Sequence, residues 1–310
     1  MSVATRAARL VDDYLVGWVA LAVVVGFAIP ELGVVTALST PILAAMVGSV
    51  SLTLSVGAFR AVDRRALAVA LAVQTGMVLA AFAVARLLGL TPALTVGFVV
   101  LGAVTPELVT PVMTELADGD TALASAVLVL VGLGSVALVP GAVTLLVGDA
   151  VAFDTLRIVR GLALAVVLPM VVAVGLRTRF PERVSRHDDL YPSVAAVLVV
   201  VIIGGVTAEN ADLLRAGGSR LLAVAAGAFA LNLAGYAAGW LASAPFDRPA
   251  RVATTLSVGM RDFAVAAALV VAAGFPPAAA LPAVAFGVIE LVTSAGLARW
   301  FRRGHQATDN

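Results

Sequence analysis

Long apolar stretches recur along the whole chain, and short polar stretches separate them. Each apolar stretch is close to the ~20 residues that a helix needs to cross a bilayer. Ten such stretches can be counted, which predicts an all-α polytopic membrane protein with ten transmembrane helices. The predicted spans are 14–29, 36–58, 66–88, 93–116, 121–147, 156–176, 191–208, 219–243, 250–273 and 278–300.

The amino-acid composition agrees with a membrane protein and excludes several kinds of functional site. The chain has 310 residues, of which 61% are hydrophobic and 13% charged, and its mean hydropathy is +1.07. Cysteine is absent, which excludes disulfides and thiolate metal sites. The two histidines, His187 and His305, lie in polar segments outside the predicted spans. The net charge of +1 indicates no nucleic-acid partner. We therefore expect a lipid bilayer as surroundings, no cofactor and no nucleic-acid partner.

Arginine placement predicts the orientation of the chain. If the N-terminus is inside, 14 arginines fall in cytoplasmic loops and five in outer loops. The positive-inside rule then places both termini in the cytoplasm, with the spans in the cell membrane. Only Arg261 belongs to neither side.

The chain divides into two halves with five predicted spans each. Residues 1–150 carry spans one to five, and residues 151–310 carry spans six to ten. An odd number of spans gives the two halves opposite orientations, which is the inverted repeat of many secondary transporters. Span four then corresponds to span nine.

Both of these equivalent spans contain residues that disturb a helix. Span four holds Pro106 and Pro111, and span nine holds Gly259 within a polar stretch. Proline removes a backbone donor and clashes with the preceding turn. A broken helix is tolerated in a bilayer where protein covers it or where it lines a cavity. We therefore predict that helices four and nine are broken and lie at a transport site.

Charged residues inside the spans indicate where such a site lies. Glu107, Arg261, Asp262 and Glu290 all fall well within predicted spans. A charge at the bilayer centre is costly, so such residues usually face protein or water and have a partner. One arginine and three carboxylates leave a surplus of negative charge, which favours binding of a proton or another cation.

Helical spacing groups these charges with nearby hydroxyl groups. In a helical span four, one face consists of Glu107, Thr110, Pro111 and Thr114. In a helical span nine, another face consists of Thr254, Ser257 and Arg261, and Asp262 points about 100° away from Arg261. The pattern is consistent with a polar site between spans four, nine and ten. The alternative is a structural lock, in which Arg261 pairs with Glu107 or Glu290 and the hydroxyl groups join helices.

Three stretches resemble the bile acid:sodium symporter family. They are "SLTLSVGAFRAVDRRALAVALAVQTG", "VMTELADGDTALA" and "TLSVGMRDFAVAAALVVAAGFPPAAALPAVAFGV", and the resemblance covers residues 35–300. It implies ten helices in a 5+5 inverted repeat, with spans one, two, six and seven forming a panel domain. The other spans would form a core domain in which broken spans four and nine cross. It also implies organic-anion substrates that are driven by sodium.

The sodium ligands that the resemblance implies are only partly present. Gln74 matches the glutamine of span three. Thr110 and Pro111 stand in place of a Ser-Asn pair, and Ser257 to Arg261 stand in place of Glu–x–Gly–Met–Gln. A guanidinium at Arg261 would oppose a neighbouring sodium ion, or substitute for it as a permanent cation held by Glu107 or by the anionic group of the substrate. We therefore leave open a sodium site near Gln74, Glu107 and Glu290, and proton coupling through Glu107 or Glu290.

The function that these observations favour is secondary active transport of a small organic anion by alternating access, coupled to Na⁺ or H⁺. Two alternatives belong to other classes. One is a membrane receptor or subunit that transports nothing. The other is an intramembrane enzyme, which would have to use carboxylates alone, because the chain has neither an HExxH nor a GxSxG motif.

Overall fold

The computed structural model describes residues 14–54, 62–148, 154–188 and 190–306, and all regular structure in these ranges is helical. This confirms the predicted all-α polytopic class. Both chain termini, whose cytoplasmic position was predicted, lie outside the described residues. The helices there that are long and apolar enough to span a membrane are Pro30–Ser51, Arg64–Leu87, Thr121–Leu146, Thr155–Arg179, Tyr191–Glu209, Ser219–Ala242, Arg248–Ala272 and Pro277–Arg302. Shorter apolar helices occupy Gly17–Ala28 and Pro92–Ala103.

The first half of the chain contains six described α-helices and one 3₁₀ helix. The 3₁₀ helix begins at Pro30, so the second predicted span starts earlier than the hydropathy pattern indicates. The elements are α1 (Leu15–Ala28), the 3₁₀ helix (Pro30–Leu38), α2 (Ser39–Ser51), α3 (Arg64–Leu87), α4 (Pro92–Ala103), α5 (Thr110–Leu116) and α6 (Thr121–Leu146).

The second half contains nine described α-helices, one turn of π-helix and a second 3₁₀ helix. Its elements are α7 (Thr155–Leu162), the π-turn (Ala163–Val167), α8 (Leu168–Arg179), α9 (Pro181–Ser185), α10 (Tyr191–Glu209), α11 (Ala211–Ala216), α12 (Ser219–Ala242), α13 (Arg248–Gly259), α14 (Phe263–Ala272), the 3₁₀ helix (Pro277–Ala280) and α15 (Leu281–Gln306).

Aspartate side chains start several of these helices. Asp63, Asp120, Asp154 and Asp247 each accept a hydrogen bond of 2.7 to 3.0 Å from a backbone N–H of the first turn. Such a cap satisfies donors that have no partner within the helix. Asp262 caps α14 in the same way, but it does so in the middle of predicted span nine.

The helices pack in two groups. In one group, α10 packs against α1, the first 3₁₀ helix and α2, and α2 packs against α8. In the other, α12 packs against α3, α13 and α15, and α4 packs against α3 and α6. Helix α14 contacts both groups, with α2 and α10 on one side and α4 and α15 on the other. The second half of span nine therefore lies between the two groups.

Close backbone contact holds the first half of span nine in place. A Cβ added at Gly235 of α12 would lie 2.8 Å from the Gly259 Cα, so glycine is needed where α12 meets α13. Small residues permit such close approach of membrane helices. In the apolar window of Arg248–Ala272, 89% of the residues are buried, more than in any other spanning helix described here. Span nine is therefore covered by protein along most of its length.

Candidate functional site

Span four is interrupted between α4, which ends at Ala103, and α5, which begins at Thr110. Pro106 and Glu107 lie within this break, so the predicted helical face that joins Glu107 to Thr110, Pro111 and Thr114 is wrong. The chain is not helical at Glu107. Pro111 lies in the first turn of α5, where a missing N–H costs little because no helical acceptor precedes it.

Span nine is interrupted between α13, which ends at Gly259, and α14, which begins at Phe263. Arg261 and Asp262 therefore lie outside a helix, and neither the predicted angle between them nor the predicted face with Thr254 and Ser257 applies. Neighbouring side chains favour the break here. The Asn232 amide donates to the Gly259 carbonyl at 3.1 Å, and the Asp262 carboxyl accepts from Val265 N–H at 2.7 Å.

The two breaks touch each other directly. The backbone N–H of Asp262 donates to the Thr105 carbonyl at 3.0 Å. The Thr110 hydroxyl lies 3.9 Å from the Met260 sulfur, within hydrogen-bonding distance of that atom. Segments that are 157 positions apart in sequence, counted from Thr105 to Asp262, therefore meet in the interior. The polar backbone of each break is partly satisfied by the other, as a membrane interior requires.

The Arg261 side chain is 1% exposed and points toward spans three and four. Its Nη1 donates to the Gly102 carbonyl at 2.6 Å. Its Nη2 donates to Gln74 Oε1 at 3.1 Å and, more weakly, to the Val258 carbonyl at 3.4 Å. The Gln74 amide is itself held by the Val104 carbonyl, 3.4 Å away. Neutral oxygens thus surround the outer edge of the guanidinium.

The structural-lock alternative, in which the Arg261 side chain pairs with Glu107 or Glu290, is wrong for the described residues. In the described ranges, no carboxylate oxygen lies within 4.0 Å of the Arg261 guanidinium. Glu290 instead accepts from the backbone N–H of Arg261 at 2.9 Å. Because the chain leaves the helix before Arg261, its backbone faces span ten while its side chain extends in another direction, to spans three and four.

The three carboxyl groups of the sequence prediction all reach this region. Glu107, Asp262 and Glu290 are each at most 4% exposed, and Glu107 lies within electrostatic range of the other two carboxyls. Within the described part of the chain, one oxygen of each carboxyl has no hydrogen-bond partner. These are Glu107 Oε2, Asp262 Oδ2 and Glu290 Oε1. Such an oxygen can hold a proton or face a cation.

The predicted hydroxyl groups lie on α5 and α13 and do not join the hydrogen bonds around Arg261. Thr110, Thr114 and Ser257 are fully buried. Counting partners among the described residues only, the Thr114 and Ser257 hydroxyls have none. Both remain available to an ion or water. Their assignment as ligands stays a prediction.

A polar network behind span nine was missed at the sequence level. The Thr293 hydroxyl donates to Asn232 Oδ1 at 2.8 Å, and the Tyr236 hydroxyl lies 3.5 Å from the same Thr293 oxygen. Asn232 then reaches the end of α13 through the Gly259 carbonyl. The available signal was a lone asparagine in the apolar helix Ser219–Ala242.

A cavity of about 300 Å³ opens at one end of the helices. Its wall includes Leu94 of α4, Leu213 of α11, Arg220 of α12 and Leu281 of α15. Arg220 supplies the positive charge of this wall. Under the predicted orientation, the cavity lies on the outer side.

Interrupted helices that meet beside buried charges, in a membrane protein whose described regular structure is helical, are typical of secondary transporters. Residues 14–303 match the family described as the SBF-like CPA transporter family, and the chain belongs to that family. The resemblance to the bile acid:sodium symporters is thereby confirmed, and the family consists of transporters rather than enzymes.

Three curated relatives align with 73% or more of this chain. The uncharacterized sodium-dependent transporter YocS of Bacillus subtilis is 27% identical over 292 residues, which covers 92% of this chain and 90% of the relative. BASS2, a probable chloroplastic sodium/metabolite cotransporter of rice, is 26% identical over an alignment that covers 94% of this chain and 71% of the rice protein. BASS1, a probable chloroplastic sodium/metabolite cotransporter of Arabidopsis thaliana, is 23% identical over an alignment that covers 73% of this chain and 56% of the Arabidopsis protein.

Proposed function

We propose that this protein is a secondary active transporter that moves a small organic anion across the cell membrane by alternating access, coupled to a cation. The observation that carries the proposal is the direct contact between the breaks, through the Asp262 N–H and the Thr105 carbonyl. Non-helical backbone inside a membrane protein is retained where it builds a binding site. Here it places three buried carboxyls beside the junction.

The architecture proposed for this transport is a 5+5 inverted repeat of residues 1–150 and 151–310. The positions of the breaks support it, because spans four and nine are the fourth spans of the two halves. The packing groups support a panel of spans one, two, six and seven against a core of the other spans. Helix α14, which contacts both groups, would then change neighbours as the two groups move.

The coupling cation in this proposal binds the open oxygens of Glu107, Asp262 and Glu290. The geometry favours a proton over Na⁺. The sodium site predicted near Gln74, Glu107 and Glu290 would compete with Arg261 for the Gln74 oxygen. A proton needs only one of the open oxygens.

The negative charge of the substrate is supported by a cavity with a positively charged wall, and its small size by the name of a relative. The Arg261 side chain is 1% exposed. Both Nη groups have acceptors, while Nε has none among the described residues, and the burial of the side chain argues against a direct role in substrate binding. The cavity that includes Arg220 instead offers a positively charged surface on the predicted outer side. The rice relative is named a sodium/metabolite cotransporter, which fits a small organic solute.

Uptake into proteoliposomes tests this function. We would compare wild-type protein with empty liposomes for radiolabelled monocarboxylates, dicarboxylates, sulfonates and organic sulfates. We expect uptake of at least one class, and a loss of at least about tenfold in Glu290→Gln, equivalent to ~1.4 kcal/mol. Glu115→Gln, which alters an exposed carboxyl in α5, is the matched control and should retain uptake. Equal uptake in empty and protein-containing liposomes across all classes would contradict the proposal and leave a non-transporting receptor.

A further inference from the structure

We infer that the Arg261 guanidinium fills a cation site made of neutral oxygens, so that the protein carries one monovalent cation as a side chain. The site, called the oxygen cage here, consists of the Gly102 carbonyl, the Val258 carbonyl and Gln74 Oε1. The significance of the cage for ion coupling rests on the proposed transport function. The cage itself does not, and it can be tested without any transport assay.

Both backbone oxygens of the cage are free because of the helix breaks. In a continuous helix the Gly102 carbonyl would accept from residue 106, but that residue is Pro106, which has no N–H. The Val258 carbonyl would accept from the N–H of Asp262, which donates to the Thr105 carbonyl instead. Two carbonyls from the last turns of two helices, α4 and α13, therefore remain to be satisfied.

The electrostatics of this arrangement suit a cation. The C-terminal end of a helix carries partial negative charge, and α4 and α13 both end at the cage. Half-helix C-termini and unwound carbonyls are the groups that hold Na⁺ in transporters with broken helices. Oxygen is also the ligand that hard cations prefer. The guanidinium occupies the position that such an ion would take.

The cage does not depend on the arginine side chain for its shape. Gly102 and Val258 contribute backbone atoms, and Gln74 is held separately by the Val104 carbonyl. Arg261 is the largest fully buried side chain among the described residues. Shortening it would therefore leave a polar cavity, which ions and water can fill.

It follows that an external ion has no room in the cage of the natural protein. A coupling cation must then use the other side of the junction, where Glu107, Asp262 and Glu290 have open oxygens. A variant without the Arg261 side chain should therefore bind an external ion in the oxygen cage, whereas the natural protein should not.

The test is thermal unfolding of the purified full-length protein in detergent, in NaCl or choline chloride at equal ionic strength. An ion that binds only the folded state raises the unfolding temperature. We expect Arg261→Ala and Arg261→Gln to gain a sodium-specific increase of about 3 °C relative to the wild type. The double variant Gln74→Leu/Arg261→Ala should lose most of this gain.

Arg157→Ala is the matched control, because Arg157 also donates from its side chain to a carbonyl at a helix C-terminus, that of Ala272, but is exposed. It should gain no sodium response. Arg261→Lys should also gain none, since it keeps a tethered cation. If the neutral variants can be purified folded in NaCl but not in choline chloride, that is the expected result in its strongest form.

Three outcomes would overturn the inference. The first is that folded Arg261→Ala and Arg261→Gln respond to sodium no more than the wild type. The second is a gained response that survives Gln74→Leu unchanged. The third is that both neutral variants fail to fold in sodium and in choline alike while Arg261→Lys folds, because an oxygen cage would accept a free ion.

Discussion

The two breaks that meet in this protein are built by different means. Span four breaks where the chain itself prevents a helix, since Pro106 removes a donor and restricts the residue before it. Span nine breaks without any proline between Arg251 and Phe275. Its break depends on neighbours: the Tyr236 ring beside Gly259, the Asn232 amide on the Gly259 carbonyl, and the Asp262 cap.

The break in span four is therefore controlled by local sequence, and the break in span nine by tertiary contacts. A break that contains a proline depends less on its surroundings, and Pro106 leaves the Gly102 carbonyl without its helical donor. A break set by packing can change when its neighbours move. Because α14 contacts both packing groups, the packing-controlled break lies where the proposed transport motion takes place. The two breaks should therefore respond differently to substitution.

The largest effect should come from Gly259→Ala. A Cβ at Gly259 would lie 2.0 Å from the Tyr236 ring, so the buried ring or the helices α12 and α13 must shift. We expect a loss of about 3 kcal/mol in unfolding free energy, measured by denaturant titration in mixed micelles. Gly134→Ala in α6 is the control, since a Cβ there would meet no described atom within 4 Å. A loss of similar size in Gly134→Ala would show that the cost is not specific to the break.

The next largest effect should come from Asp262→Ala. The substitution leaves the buried Val265 N–H without its acceptor, and we expect a loss of about 2 kcal/mol. Asp154→Ala removes an equivalent cap that is exposed at the start of α7, where water can replace it. That control should lose about 1 kcal/mol. Equal losses would contradict the buried setting assigned to the span-nine cap.

The smallest effects should come from the prolines of span four. Pro106→Ala restores an N–H that competes with Arg261 for the Gly102 carbonyl, and we expect a loss of about 1 kcal/mol. Pro111→Ala, within the first turn of α5, should change stability by less than about 0.5 kcal/mol. The same micelle titration measures both. If Pro111→Ala proves the more damaging, the break would be set by the start of α5 and not by Pro106.

Sequence reasoning identified the helices and the interrupted spans because hydropathy and proline act locally. It also identified Arg261 and Glu290 as charged residues inside apolar spans, and the family resemblance identified Gln74. It placed the side chains wrongly, because helical spacing was applied through residues that the structure shows as non-helical. The contact of Arg261 with Gly102 joins residues that are 159 positions apart in sequence. Helical or strand periodicity cannot predict a contact over such a separation. Asn232 was overlooked, since one asparagine in an apolar helix has many structural uses.

The most direct test of the account is the ion dependence of uptake by the wild-type protein. The substrate would be the anion found in the proteoliposome screen, and initial rates would be measured with an inward proton gradient or an inward Na⁺ gradient. With Arg261 in the oxygen cage and the coupling cation on the carboxyls, the proton gradient should accelerate uptake, and replacing Na⁺ with choline should not change it. Uptake that requires Na⁺ and ignores the proton gradient would contradict the account.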